Sequence, residues 1–244
     1  MDQDSTKGQQ ELDPTAEYLE LYRRLEAAVR EKYGDEVTDA PVWWLAHKAR
    51  GYRGMTEVLD YIREVRNVLQ HRQRLEGDYA VIPSEGMLST MRRIVERVEK
   101  LPCAYDLCTK TRMLLSAGPH DGMRKVMRGM VRRGFSHVPI LEDGRVVGVL
   151  SERTLASYLL TDTIVEVDQE VTLDLVARLL PLDAHGSEVF AFVARDALAT
   201  DVAAMFQDAL ERKERLGAVF VTHNGKQGER LLGMLTSWDM AAFF

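Results

Sequence analysis

The chain lacks the features that would place it in several common classes. Its 244 residues hold two cysteines, Cys103 and Cys108, with no second pair. Neither a disulfide framework nor a zinc site is indicated, and both read as reduced thiols of a cytoplasmic protein. No apolar run approaches membrane-spanning length, and the polar start, Met1-Asp2-Gln3-Asp4-Ser5-Thr6, resembles no signal peptide. Residues 1–12 read as disordered. Net positive charge is missing too: the formal charge is −6, and residues 1–101 and 102–244 each carry sixteen Lys/Arg against nineteen Asp/Glu. A nucleic-acid contact would need a local patch, for which Arg63, Arg66, Arg72 and Arg74, or Arg92, Arg93 and Arg97, are candidates. These alternate with Glu64, Glu76, Glu96 and Glu99, the usual composition of a solvated helix face. His47, His120, His137, His185 and His223 show no metal-ligand spacing, so no metal is expected.

What is present is a repeat. Gly148-Val149-Leu150-Ser151-Glu152-Arg153-Thr154-Leu155 and Gly233-Met234-Leu235-Thr236-Ser237-Trp238-Asp239-Met240 share one pattern. A glycine opens a short apolar strand, the strand stops at a hydroxyl, and an amphipathic helix is predicted to follow. Matching material precedes each copy. A helical pattern (Met123, Val126, Met127, Met130, Val131; Val202, Met205, Phe206, Leu210) leads to a strand (137–141; 218–221). A turn with Asp143-Gly144 or Asn224-Gly225 comes next. A hydroxyl at such a junction caps free amides or, beside them, binds phosphate, and a carboxylate one turn later suits a ribose. Ser151 and Thr236 as plain helix caps, with Asp239 complementing a helix dipole, is the structural alternative.

That element order, the His137-Val138-Pro139-Ile140 strand and the Ser/Thr-x-x-Asp junction resemble the cystathionine-β-synthase (CBS) domain family over roughly 108–244. The resemblance implies a pair of β-α-β-β-α units with clefts that often bind adenine nucleotides: AMP, ADP or ATP as regulatory ligand. By position, Thr236 would face phosphate and Asp239 the ribose, with Ser151 in the sister cleft and His137 lining a cleft. Thr154 departs from the pattern, since it cannot accept a ribose diol as a carboxylate does.

Before Cys103 the period becomes 3.6. Asp13-Pro14 starts a helix with Leu19, Tyr22, Leu25, Ala28 and Val29 inward. A second is predicted from Pro41 to Gly51 or Gly54. A third is capped by Thr56, with Val58, Leu59, Ile62, Val65 and Leu69 inward, and a fourth by Ser84, with Leu88, Met91, Ile94, Val95 and Val98. The expected fold is α+β: an antiparallel four-helix bundle over 13–101, a linker over 102–111, and two units over 112–162 and 163–244. In the second unit, 164–167 reads as a strand and 171–180 as a helix.

Late in the third helix, Arg66-Asn67-Val68-Leu69-Gln70-His71 resembles the signature of the HEPN superfamily, many of whose members are metal-independent ribonucleases with sites across a homodimer axis. The resemblance implies an RNA substrate, a homodimer and catalytic roles for Arg66, Asn67 and His71. On one helix Asn67 and His71 stand about 40° apart but Arg66 and His71 about 140°, so two copies or local unwinding would be needed to aim both at one phosphate. His71 would move the proton, Arg66 would stabilise the phosphorane charge, and Asn67 would orient. The expectation for the whole is a nucleotide-sensing protein with a ligand-regulated ribonuclease; the alternative is a non-catalytic regulatory module whose bundle serves dimerisation or partner docking.

Overall fold

The computed structural model describes residues 13–71, 79, 81–159, 171–186 and 188–243. The expected disordered start over 1–12, the loop with Arg72 and Arg74, and the predicted strand over 164–167 lie outside these. Two compact units meet at Leu101 and Pro102.

In the first unit, helix α1 (Pro14–Tyr33) begins where the Asp13 carboxylate accepts a hydrogen bond from the Thr15 N–H at 3.0 Å and Pro14 fills the first turn. Helix α2 (Pro41–His47) is shorter than its pattern suggests, ending at His47 and giving way to a 3-10 helix over Arg50–Met55. Helix α3 (Thr56–His71) follows. Thr56 does not cap it: the hydroxyl donates to the carbonyls of Ala46 (2.9 Å) and Arg53 (3.0 Å), tying α3 to the preceding turns. Helix α4 (Glu85–Glu99) is capped by Ser84, whose Oγ accepts from the Met87 N–H at 3.3 Å. Helix α1 packs on α4 and α2 on α3 around one core that includes Tyr18, Leu25, Leu45, Tyr52, Leu59, Ile62 and Met91. The buried Tyr18 hydroxyl donates to the Ile62 carbonyl at 2.7 Å. The inward stripe of α3 is rotated from the expected one. Leu59, Ile62 and Leu69 are buried, but Val58 is 41% exposed. Arg66 shares the angular sector of Ile62 and Leu69.

The second unit starts earlier than expected. Residues 102–111 are not a linker. Cys103 bridges Leu198, the Ala104 N–H donates to the Ala197 carbonyl at 2.7 Å, and helix α5 (Ala104–Leu107) leads into strand β1 (Thr109–Lys110). Helix α6 (Met123–Arg133), strands β2 (His137–Glu142) and β3 (Arg145–Ser151) and helix α7 (Glu152–Leu159) come next. Asp143 and Gly144, both at positive φ, make the tight β2–β3 turn that Asp-Gly predicts. The predicted helix over 171–180 is a 3-10 helix, Leu173–Leu179. Strand β4 (Glu188–Ala194), helix α8 (Ala199–Glu211), and strands β5 (Arg215–Thr222) and β6 (Gly233–Leu235) complete the unit.

One sheet runs β1-β6-β5-β4, with β4 and β5 parallel, and the other is the β2-β3 hairpin. Val146 and Val149 of β3 pack with Ala218 and Phe220 of β5 and Met234 of β6, so an apolar cluster knits the two sheets together. Asn224-Gly225 does not form a tight hairpin. It bends a longer connection, in which Glu229 accepts from the Asn224 backbone N–H (2.7 Å) and side-chain amide (2.6 Å). After Thr236 the predicted amphipathic helix is replaced by turns with i→i−3 bonds, Asp239 N–H to the Thr236 carbonyl and Met240 N–H to that of Ser237, and by a 3-10 helix, Ala241–Phe243.

Candidate functional site

The two repeated junctions share a local hydrogen-bond design. At the first, the Ser151 N–H donates to Thr154 Oγ1 and the Thr154 N–H donates to Ser151 Oγ, both at 3.2 Å. At the second, Asp239 Oδ2 accepts from the Thr236 N–H (2.7 Å) and hydroxyl (2.8 Å). Both loops therefore hold their amides without a ligand. They differ in access: Ser151 and Thr154 are buried, whereas Thr236 and Asp239 are half-buried.

Thr236 and Asp239 open onto a cavity of about 250 Å³. Its walls come from Leu114 and Leu115, from Phe135, Ser136 and His137 at the start of β2, and from Met234 and Trp238. Among the described residues Asp239 Oδ1 receives no hydrogen bond, so the carboxylate lining the cavity keeps acceptor capacity. Trp238 is 87% exposed beside the opening, an apolar surface without a covering partner in the fold. A hydroxyl, a carboxylate and aromatic surface around a small cleft are the parts needed to hold a polar ring compound carrying an anionic group.

His137 reaches that wall from a buried position. Its Nδ1 lies 2.9 Å from Ser136 Oγ and its Nε2 lies 2.9 Å from Glu188 Oε1. An ionised carboxylate can only accept, so Nε2 donates to Glu188. Burial pushes the Glu188 carboxyl up, but the His137 hydrogen bond and charge, the Ser151 hydroxyl and Arg215 together hold it below the ordinary carboxylate value.

The structure brings His137, read from the sequence only as lining a cleft, to the cavity of Thr236 and Asp239, and Ser151 does not line it. Sequence reasoning did not include Phe135, Ser136, Leu114 and Leu115, which reach this cavity only through the tertiary fold. It also missed Glu188, which carries no local pattern.

In the helical unit, Arg66 Nη1 donates to Asn67 Oδ1 at 3.2 Å, its guanidinium stands 5.4 Å from the centre of the Tyr22 ring, and its Nε is buried without a hydrogen-bond partner. Asn67 is exposed. His71 ends α3, and its side chain lies outside the described residues. Within the proposed basic patches Arg63 pairs with Asp60 at 2.7 Å and Arg92 with both Glu17 and Glu85, while Arg72 and Arg74 lie outside the described residues. Positive charge collects on α6 instead, where Arg124, Lys125, Arg128 and Arg132 line the outer face of a helix that contains no acidic residue. Cys108 packs under Gly233, and burial pushes its thiol up. Among the described residues no cluster of His, Cys, Asp and Glu suits a metal, and no helix is long and apolar enough to cross a membrane.

No curated protein matches the chain. Solved structures similar to its C-terminal part include the CBS domain pair of protein MJ0100 in complex with 5′-methylthioadenosine and S-adenosyl-L-methionine, 16% identical, covering 59% of this chain and 96% of that one with a TM-score of 0.42. A CBS domain-containing protein of unknown function from Bacillus anthracis str. Ames Ancestor is 14% identical over 58% of this chain and 91% of that one, with a TM-score of 0.42. CBSX2 in complex with AMP is 20% identical over 57% and 93%, with a TM-score of 0.39. Residues 105–161, from α5 through α7, match the family model of the CBS domain.

Proposed function

We propose that the C-terminal unit is a regulatory module that binds an adenine nucleotide, AMP, ADP or ATP, in the cavity at Thr236 and Asp239. The observation that carries this reading is the half-open junction itself. Thr236 offers a hydroxyl and Asp239 an acceptor oxygen to a cleft bordered by Phe135 and Trp238. Thr236 faces the phosphate by turning towards it the hydroxyl proton now given to Asp239 Oδ2, Asp239 accepts from the ribose hydroxyls, and Ser136 with His137 closes the inner wall. CBSX2 binds AMP, and the MJ0100 pair binds two other adenosine derivatives; the pocket's own residues, rather than that likeness, carry the proposal.

Calorimetric titration of the full chain with AMP, ADP and ATP tests it. A hydrogen bond to a charged acceptor is worth about 1.5–3 kcal/mol, so Asp239→Ala should weaken binding by about tenfold to a hundredfold. Unchanged affinity in that variant would remove Asp239 from the site, and no heat with any of the three would remove the nucleotide.

A second reading concerns the helical unit, proposed as a HEPN-like metal-independent ribonuclease acting as a homodimer and regulated by the nucleotide. It is supported by Arg66, a guanidinium over Tyr22 whose buried Nε has no hydrogen-bond partner among the described residues, an arrangement that is costly for stability alone. His71→Ala and Arg66→Ala should each abolish RNA cleavage while leaving helicity intact. RNA cut at the parent's rate by His71→Ala would exclude catalysis by that residue. A parent that does not cut RNA would leave the non-catalytic module, with the helices as a dimerisation or docking surface.

A further inference from the structure

The cavity at Thr236 is built from three parts: a strand-end hydroxyl with the residue three positions on, the entry to a hairpin strand from the other repeat (Gly134 to His137), and the approach segment at Leu114 and Leu115. The same parts recur around Ser151. There His137, the register partner of Ser151, meets the entry to β5 (Arg215 to Gly217) and the first residue of β4, Glu188. In place of open space, the Glu188 side chain fills this copy. Its carboxylate takes the His137 Nε2–H at 2.9 Å, Arg215 Nε stands 3.5 Å from Oε1, and the Ser151 hydroxyl is near enough to help hold the carboxyl below its ordinary value. His185 Nδ1 lies 3.9 Å from Oε2, which has no hydrogen-bond partner of its own. The Glu188 side chain is 1% exposed. Gly217 leaves the room: a Cβ there would meet His137 Nε2 at 2.9 Å and the Glu188 Cγ and Cδ at 3.0 Å.

A hydroxyl, a guanidinium and an imidazole N–H converging on one point are the donors of an anion seat. Here the anion is covalently part of the chain. We propose that Glu188 is the resident anion of the Ser151 cleft, occupying the seat of a ligand phosphate, so that each chain takes one nucleotide, at Thr236 and Asp239. The inference rests on the nucleotide reading of the Thr236 cavity. The excluded ligand class is any small phosphate monoester: its charge would stand against the Glu188 carboxylate in a space the side chain already fills. With Glu188 cut back, the same donors are left facing a vacated anion position, and a phosphate supplies what they lost.

The test is stoichiometry on the full chain with AMP, supplemented by inorganic phosphate. The wild type should bind one AMP per chain, and Asp239→Ala the same one about tenfold to a hundredfold more weakly. Two sites in the wild type, or a site of undiminished affinity in Asp239→Ala, would overturn the proposal without any change at Glu188. Glu188→Ala should gain a second AMP site and measurable phosphate binding, both lost again when Ser151→Ala is added. Glu188→Gln, which keeps the shape that fills the seat, should stay at one. A folded Glu188→Ala that binds neither a second AMP nor phosphate would sink the idea. If the wild type binds no nucleotide at all, the reading of the Thr236 cavity fails, and the phosphate arm with Glu188→Ala still decides this proposal.

Discussion

Ser151 and Thr236 begin from the same eight-residue pattern and end in different surroundings. Each closes an apolar strand, and each forms a loop with the residue three positions later. Around Thr236 the neighbouring segment contributes Leu114 and Leu115, which line a cavity without entering the polar seat. Around Ser151 it contributes Glu188, whose carboxylate is buried against His137 and lowered in part by the nearby Ser151 hydroxyl, while Thr154 is 4% exposed and bonded to Ser151. The difference between an open and a closed junction therefore lies not in the motif but in one residue supplied from a distant strand. A motif specifies a loop; access to that loop is a tertiary property.

The strongest way to break this comparison is to restore the family-like acid at the closed junction. Thr154→Asp would put a second carboxylate into a buried site beside Glu188. An uncompensated buried charge costs about 3–5 kcal/mol, and no opening exists to let water repay it. Urea denaturation of the C-terminal unit should shift to lower midpoint by a corresponding amount, with no gain in AMP binding. A stable Thr154→Asp protein that binds a second AMP would show that the acid, rather than Glu188, separates the two junctions.

Much of the fold was legible because its signals are local. The period of α1 and α4, the Asp13 and Ser84 caps and the Asp143-Gly144 turn are decided by neighbours in the chain. The misreadings have tertiary causes. Residues 102–111 follow Leu101-Pro102 at the end of the helical pattern, but their backbone groups pair with Leu198, Ala197 and β6, so a short strand stands where a linker is expected. Thr56 stands at a plausible cap position, yet its hydroxyl finds the Ala46 carbonyl ten residues back. Asn224-Gly225 promises a two-residue hairpin, but Glu229 captures Asn224 and the connection lengthens. At the site, Thr236 and Asp239 were readable from the repeat, whereas Phe135 and Ser136 approach them only after β2 folds back. Glu188 was unreadable because its partner His137 lies fifty-one positions away.

The repeated glycines sharpen the comparison from the side of packing. Neither needs positive φ; both are required by close approach. A Cβ on Gly148 would meet the Leu180 carbonyl oxygen at 2.5 Å and its carbon at 2.9 Å, and Leu180 O also accepts from the Val149 N–H, so that backbone cannot easily yield. A Cβ on Gly233 would collide with the Cys108 sulfur, a side chain that can turn, and then with the Thr109 carbonyl at 2.8 Å. Overpacking costs about 1–3 kcal/mol, and Gly148→Ala should fall at the upper end with Gly233→Ala below it. Thermal or urea melts of the two variants would measure the order. The reverse order would mean that β1 and β6 are less able to part than β3 and the 3-10 segment ending at Leu179.

The smallest effect is a pH dependence confined to the closed junction. Because His137, Ser151 and Arg215 outweigh burial and hold the Glu188 carboxyl below its ordinary value, the unfolded chain takes up this proton before the folded one as pH falls. The contribution is thus fully present above the ordinary carboxylate value of about 4.3 and is lost as pH drops through the lower folded value. One proton limits the slope to about 1.4 kcal/mol per pH unit. Other carboxylates titrate in the same range, so the informative quantity is the difference in urea-denaturation stability between the wild type and Glu188→Gln. That difference should be flat above about pH 5 and shrink towards pH 3. A difference that stayed constant down to the acid limit would mean the carboxylate is not ion-paired in the folded state. Ser151 would then be closed by shape alone, and the contrast with Thr236 would be one of volume rather than charge.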